Sequence, residues 1–343
     1  MDIEKLISTL SKDVIKKLKV IKMPIWVDPM LAILTKDYFS SDSFLYEHKW
    51  DGERIIAYKD GDKVSLMTRN KKLANANYPG LVKDLKNQKI EKFIIDGEII
   101  AEKNNKSDFS ILQKKMHSSD KNQNINAKIY YYVFDIIYLE KYDLRDLELI
   151  SRKLLLKNSI NFTDEIKFTD YYMGDGIARF KKACKLGWEG LIVKNIHSKY
   201  LGKRTKDWLK FKCVDQQEFV IGGYTDPKHS RAGFGALLVG YYDDNHNLIY
   251  VGKVGTGFDV ETLKDLKNQF LHITQNKCPF SNIEDIAHNK KDINWLKPKM
   301  VAEIKFAQWT AYNKLRHSRF MGLRLDKNAK DVVKEMPKNM INR

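Results

Sequence analysis

The sequence has only three cysteines, Cys184, Cys213 and Cys278, and none of them forms a C-x-x-C pair. That spacing excludes a four-cysteine zinc site and argues against a disulfide framework. The three read instead as buried or incidental thiols of a reducing compartment. Nowhere does an uncharged apolar stretch approach membrane-spanning length. The N-terminal MDIEKLISTLSKDVIKKLKV interrupts its apolar residues with charges every few positions, unlike a secretory signal. Internal repeats and low-complexity tracts are also missing. These absences lead to the expectation of a cytoplasmic protein (nucleoid-associated if bacterial) with no membrane partner.

What is present is length and positive charge. A chain of 343 residues supports two domains with separate cores. Its hydrophobic fraction of 43% and charged fraction of 31% suit a folded globular protein. Lys and Arg number 61 against 44 Asp and Glu, a net charge of +17. A surplus of that size suits a polyanion, because each cation placed on a phosphate releases condensed counterions. A lysine-rich solvated surface would give the same total, so charge alone does not establish nucleic-acid binding.

Along the chain, Ile3, Leu6, Ile7, Leu10, Val14, Ile15 and Leu18 recur at helical spacing. They predict one amphipathic helix within residues 1–22, docked on the domain that follows. FLYEHK, RIIAYK and KVSLMT are short β-rich runs, with Asp60-Gly61-Asp62 supplying a turn. Tyr78-Pro79-Gly80 opens a helix, EKFIIDGEII is a strand, and a helix is expected around Asp108 to His117. IYYYVFDIIY reads as a central strand, Asp175 to Leu186 as a helix stopped by Gly187, and EGLIVK and WLKFK as strands. After Val214-Asp215-Gln216-Gln217 the texture changes. EFVIGGY, ALLVGYY, LIYVGKV and MVAEIKFAQW are closely spaced strands with one helix near Val260 to Phe270. That pattern predicts a small barrel of the oligonucleotide-binding type. The expected fold is α+β: residues 23–214 as antiparallel sheets with helices, residues 215–335 as the barrel, and 336–343 as a tail.

The strongest local signal is Lys49-Trp50-Asp51-Gly52-Glu53-Arg54. A lysine at a strand end, before a tight Asp-Gly turn, can be held against a phosphate. Neighbouring cations are expected to lower its pKa and leave a neutral, nucleophilic amine. A surface hairpin with a salt-bridged lysine fits those six residues equally well. The sequel breaks the tie. Thr68-Arg69-Asn70, Asp96-Gly97-Glu98, Phe134-Asp135, Glu189-Gly190-Leu191-Ile192-Val193-Lys194 and Trp208-Leu209-Lys210-Phe211-Lys212 follow in order. Two carboxylates and several cations around a lysine suit phosphoryl transfer with a divalent metal.

This order resembles the covalent nucleotidyltransferases, which comprise DNA ligases, RNA ligases and mRNA capping enzymes. The resemblance runs from Pro29-Met30-Leu31-Ala32 to Asp326-Lys327. It is particularly similar to the ligase domain of bacterial end-joining enzymes, through VAEIKFAQWT and LRHSRFMGLRLDK. It implies a nucleotidyltransferase (adenylation) domain followed by an OB-fold. The implied chemistry is ATP-dependent DNA ligation with Mg2+ or Mn2+, in which Lys49 takes AMP and passes it to the 5′-phosphate of a nick. Glu47, with His48 beside it, would read adenine, and Phe134 would stack on the base. Arg54 and Glu98 would hold the ribose side, and Arg69 would serve the site that receives the DNA 5′-phosphate. Glu189 would bind metal, with Glu98 and Asp326 as further metal candidates. Lys210 and Lys212 would grip the α-phosphate, and Lys194 would belong to the nucleotide site. Arg324, Asp326 and Lys327 would orient pyrophosphate when the barrel domain closes. Implied partners are nicked duplex DNA and an end-binding or clamp protein, with the chain itself a monomer.

NAD-dependent ligation fits poorly, since that family needs a further N-terminal domain and a cysteine zinc module. RNA ligase and GTP-dependent capping nucleotidyltransferase are the enzyme rivals. The rival from another class is a catalytically idle, basic nucleic-acid-binding module. Plain binding would need neither the nucleophile nor the carboxylates.

Overall fold

A computed structural model describes residues 3–103, 106–107, 111–112, 127–213, 216–227, 232–282, 284 and 292–335. The chain divides into one compact unit up to Cys213 and a second from Val214 to Glu335. The helix expected around Asp108 to His117 and the tail at 336–343 lie largely or wholly outside the described residues.

The first unit holds two sheets. The larger contains β1 (Lys19–Val20), β4 (Glu53–Asp60), β5 (Lys63–Thr68), β6 (Lys92–Lys103), β8 (Lys128–Leu139) and β9 (Tyr142–Asp143), in the order β1-β9-β8-β6-β4-β5. Strand β7 (Lys106–Ser107) adds to β6, and β10 (Ile166–Phe168) adds to β8. The smaller sheet has the order β11-β3-β12-β13-β2, built from β2 (Leu31–Leu34), β3 (Phe44–His48), β11 (Tyr171–Met173), β12 (Gly190–Asn195) and β13 (Arg204–Lys212). Pairing is antiparallel as expected, except that β10 runs parallel to β8 and β2 parallel to β13. A parallel return needs a crossover. Helix α4 (Leu149–Ser159) lies between β8 and β10 in the chain and supplies part of it.

The main core lies on one face of the larger sheet. Ile55, Leu66, Ile95, Ile99 and Val133 meet Leu81 and Leu85 of α3 (Pro79–Lys86) and Leu155 and Leu156 of α4. Ile3, Ile7 and Leu10 join the same cluster, so the N-terminal segment docks as expected. It is not one helix, however. It breaks into α1 (Ile3–Ser8), α2 (Lys12–Ile15) and then strand β1. The hydroxyls of Ser8 and Thr9 bond back to the carbonyls of Lys5 and Leu6, and Ser11 caps α2 in an extended conformation. Local side-chain bonds of this kind compete with the helix ladder, which apolar spacing does not reveal.

Helix α5 (Gly176–Lys185) ends at Leu186, where Gly187 takes a positive φ of 75°. It lies against the smaller sheet, with Phe180 and Ala183 among Ile33, Tyr46, Leu191 and Phe211. That packing overturns the free-thiol reading of two cysteines. Cys184 on α5 and Cys213 beyond β13 are disulfide-bonded, with Cα atoms 5.2 Å apart at a sequence separation of 29. Only the tertiary docking of α5 brings them together. Cys278 is free.

In the second unit β14 (Gln216–Thr225) lies between β15 (Leu237–Tyr242) and β18 (Ile293–Lys305). Strands β16 (Leu248–Val254), β17 (Thr274–Gln275) and β21 (Arg319–Leu323) complete that sheet. Register shifts at Ile221/Gly223, Val239/Gly240 and Glu303/Ile304 allow it to bend sharply. Helix α6 (Val260–Leu271) buries Leu263, Leu266 and Phe270 against Phe219, Val239 and Ile304. A small hairpin, β19 (Gln308–Trp309) with β20 (Leu315–Arg316), follows. This is the oligonucleotide-binding type of unit anticipated.

One buried charge ties the first unit together. Arg152 on α4 is fully buried and pairs with Asp135 of β8 through two bonds of 2.8 and 2.9 Å. Its third nitrogen donates to the carbonyls of Leu147 and Ser198. Arg152→Met strands a buried carboxylate, so urea unfolding should show the first unit less stable by about 3–5 kcal/mol. A loss below about 1 kcal/mol, the usual range for exposed pairs, would show that Asp135 does not depend on this partner.

Candidate active site

Side-chain alternation along three neighbouring strands of the smaller sheet builds the site. Phe44 and Tyr46 of β3, Leu191 and Val193 of β12, and Leu209 and Phe211 of β13 point into the core beneath α5. The residues between them, Glu47, Lys194, Trp208 and Lys210, therefore face the other way, towards the larger sheet. Trp208 meets Ile56, Tyr58 and Ile94 of the larger sheet, and Phe134 packs on the same cluster. Register then brings the strand ends together. Lys49 donates its backbone N–H to the carbonyl of Gly190, and Gly190 stands opposite Lys212. Gly190 has φ 151°, and a Cβ there would collide with the carbonyl of Phe211. At Gly52 a Cβ would collide with the carbonyl of Ile99, so the Asp-Gly turn can lie directly against β6.

Lys49 directly follows β3 with its Nζ 2.5 Å from Glu189, and Lys212 lies 3.9 Å from the other Glu189 oxygen. Burial is the largest single influence and pulls the Lys49 pKa down, but the charge and hydrogen bond of Glu189, with Asp51, together hold the amine above the ordinary lysine value. This corrects the expectation of a lowered pKa. The cations anticipated are present, and Lys212 does act downward, yet the carboxylates together act more strongly. Burial pushes Glu189 up, while Lys49, Lys212 and Lys210 together keep it below the usual carboxylate range.

A second charged group lies deeper. Glu47 is 2% exposed and lies between two lysines: Lys153 of α4 at 2.7 Å and Lys194 of β12 at 2.6 Å. Lys194 also sits 4.2 Å from the Phe134 ring centroid and 4.1 Å from that of Trp208. Burial lowers its pKa, only partly offset by Glu47. Arg54 forks onto buried Asp96 at 3.0 and 2.6 Å, and its guanidinium lies 5.2 Å from the Phe134 centroid. Burial opposes that charge, but Asp96 raises the Arg54 pKa. Tyr200 adds a 2.7 Å hydrogen bond to the same carboxylate. Glu98 is the cross-strand partner of Arg54.

Thus Glu47, Lys49, Arg54, Phe134, Glu189, Lys194, Lys210 and Lys212 gather between the two sheets, as the sequence led us to expect, with Glu98 beside Arg54. Arg69 lies half-buried in the turn after β5. His48 instead stacks between Trp50 and Trp188. Sequence reasoning missed Lys153, although a charged pair inside the apolar run LISRKLLL was the available signal.

Arg324, Asp326 and Lys327 belong to the second unit. Arg324 forks onto Asp326 at 2.9 and 2.8 Å and reaches Glu303 at 3.0 Å, while Lys327 pairs with Glu218 at 3.0 Å. Both Asp326 oxygens accept from Arg324, which turns them away from a metal role. Burial raises the Asp326 pKa, but Arg324 more than reverses that.

Comparison with known proteins agrees with this geometry. Residues 29–212 match the ATP dependent DNA ligase domain, and residues 230–327 match the ATP dependent DNA ligase C terminal region. The chain belongs to the ATP-dependent DNA ligases. Within that family it is 35% identical to the multifunctional non-homologous end joining protein LigD of Pseudomonas aeruginosa, over 92% of this chain and 37% of that protein. It is 32% identical to DNA ligase 2 of Thermofilum pendens, over 97% of this chain and 61% of that one. A solved mycobacterial DNA ligase D complexed with ATP and MES superposes with a TM-score of 0.63 at 31% identity, covering 90% of this chain and 98% of that one. The chain spans about two fifths of the length of the LigD relatives.

Two measurements check the site's electrostatics. In Glu189→Gln, only the weaker pull of Asp51 opposes burial and Lys212, so the Lys49 amine should titrate below the ordinary lysine value rather than above it. Peptide-mapped modification of Lys49 by an amine reagent across pH reads this directly, and an unmoved titration would remove Glu189 from control of the amine. In the second unit, Arg324→Ala leaves Asp326 and Glu303 buried without their cation. Thermal melting should register a loss of about 3–5 kcal/mol; an unchanged melting temperature would free Arg324 for another role.

Proposed function

We propose that this ligase seals nicks in duplex DNA through a lysyl-AMP intermediate on Lys49. The observation that carries the reading is the Lys49 amine at the end of β3, hydrogen-bonded to Glu189 with Lys212 alongside. In the first step Lys49 Nζ attacks the α-phosphate of ATP, the N–P bond forms, and pyrophosphate leaves. AMP then passes to the 5′-phosphate of the nick, and finally the 3′-hydroxyl attacks that phosphate and releases AMP.

The amine must lose its proton before it attacks. While Glu189 faces it, the proton stays. Drawing the Glu189 charge elsewhere leaves Lys49 facing Lys212 in a buried setting, which favours the neutral amine. Lys210 and Lys212 offset charge that develops on the α-phosphate oxygens. Glu47, a carboxylate paired with two lysines, is an acceptor suited to the exocyclic amino group of adenine. Arg54 and Glu98 serve the ribose side, Phe134 the base, and Arg69 the DNA 5′-phosphate.

The donor set fits a divalent cation. The described residues include no cluster of three or more His, Cys, Asp or Glu ligands. A cation here would therefore be held by Glu189 and Glu98 together with substrate phosphates and water, the manner that suits Mg2+. When bound, it would neutralise charge at the phosphorus under attack.

The net charge of +17 suits nicked duplex DNA as partner. The names of the bacterial relatives suggest end joining in DNA repair as the setting, with an end-binding protein as recruiter. No helix among the described residues is long and apolar enough to cross a membrane. In the second unit two cations meet three carboxylates around Arg324, which favours bracing over a direct hold on pyrophosphate.

Incubation with labelled ATP and magnesium tests the central claim. With the label on the α-phosphate, the wild-type chain should carry it in an alkali-stable, acid-labile phosphoramidate, and the label should leave the protein when nicked DNA is added. Lys49→Ala should lose at least about 10³-fold of that labelling, in the range seen when a catalytic nucleophile is removed. Label recovered on a different lysine would sink the assignment.

A further inference from the structure

Four half-buried rings lie face to face beside Lys49. Trp188 stacks on His48 with centroids 3.8 Å apart and 6° between planes. His48 stacks on Trp50 at 3.8 Å and 28°, and Trp50 on Tyr132 at 3.8 Å and 26°. Each ring neighbours a charged residue of the site. Trp188 precedes Glu189, and His48 and Trp50 flank Lys49. Tyr132 is the cross-strand partner of Glu98. The column begins against the core of the smaller sheet, where Trp188 packs, and ends on β8 of the larger one. It therefore bridges the two sheets at the end where the nucleophile sits.

Two details indicate that the rings are held by their faces. The Trp50 indole N–H is buried and has no hydrogen-bond partner among the described residues. Burial, aided by the nearby Lys49 charge, lowers the His48 pKa to about 4, so the imidazole stacks as a neutral ring at neutral pH. Three successive stacked pairs, each adding to simple area burial, hold the four side chains in a fixed order.

We propose that this four-ring column is a positioning device for the adenylylation step. By clamping the residues on both sides of Lys49, and the one before Glu189, it fixes the line along which the amine meets the α-phosphate. The proposal rests on Lys49 being the nucleophile. Its members are positioning residues: they act through Lys49 and need touch neither ATP nor DNA.

The test compares Trp50→Leu with Trp50→Phe in the full chain, measuring single-turnover lysyl-AMP formation against ATP concentration with magnesium present. Leucine keeps apolar bulk but breaks the column, whereas phenylalanine keeps a flat face. Trp50→Leu should lower the maximal rate by about 10–100-fold, the scale of a misplacement near 1 Å, with half-saturating ATP little changed. Trp50→Phe should recover most of the rate. A Trp50→Leu enzyme as fast as wild type, a phenylalanine variant as slow as leucine, or a loss confined to half-saturating ATP would each overturn the proposal. If Trp50→Leu does not melt cooperatively, Tyr132→Leu against Tyr132→Phe carries the same outcomes from the far end of the column. Lys49→Ala runs alongside. Label persisting there refutes the nucleophile itself, whereas its loss together with unaffected ring variants refutes the column alone.

Discussion

Taking an ammonium or guanidinium out of water costs several kcal/mol unless a carboxylate goes with it. In the first unit that requirement decides almost every position of consequence. Arg54 lies with Asp96, Arg152 with Asp135, Lys153 and Lys194 with Glu47, and Lys49 with Glu189. These pairs link elements as well as cancelling charge. Asp96 and Asp135 stand opposite each other on β6 and β8, so two arginines from different directions meet one ladder. Glu47 joins β3 to α4 and β12 at once. Lys49 and Arg54 keep partly exposed side chains whereas Arg152, Lys153 and Lys194 are buried, and Lys212 and Lys210 of β13 compete for the carboxylate partner of Lys49.

Much of this was legible in the sequence because strand periodicity and chemical motif reinforce each other. Placing Lys210 and Lys212 two residues apart in WLKFK puts both on one face, and the β13 register bears that out. KWDGER and EGLIVK were readable as strand ends bearing charge, and Lys49 and Glu189 do meet. The division near Val214 was visible as a change in strand spacing. Helix α4 was not, because its buried face carries Arg152 and Lys153, which blur the apolar spacing that would announce it. The protonation of Lys49 was also hidden, since it depends on one distance across two strands. The Cys184–Cys213 bond and the break at Ser11 share that origin: both follow from contacts or caps that linear spacing does not encode.

The ring column illustrates the same limit from another side. Trp50, Tyr132 and Trp188 come from three separate stretches, and each alone reads as an ordinary aromatic in a β-rich segment. Only the approach of the two sheets puts them in one line with His48. Sequence reasoning assigned His48 to the nucleotide because it stands beside Glu47, but alternation along β3 sends neighbouring side chains to opposite faces.

Strand β3, which ends one residue before Lys49, pairs with β11 and β12, and β12 in turn with β13, whose other edge is closed by β2. Both strands that border β3 are thus made more than a hundred residues after it. The hairpin β4–β5 and its neighbour β6 can form as soon as they leave the ribosome, whereas both partners of β3 exist only once the chain has been synthesised past Asn195. Long-range pairings of this sort form late and expose unpaired edges meanwhile. The order of synthesis therefore delays the meeting of Lys49 with Glu189 and Lys212 until most of its unit already exists, and a chain truncated before β13 would carry Lys49 without Lys210 and Lys212.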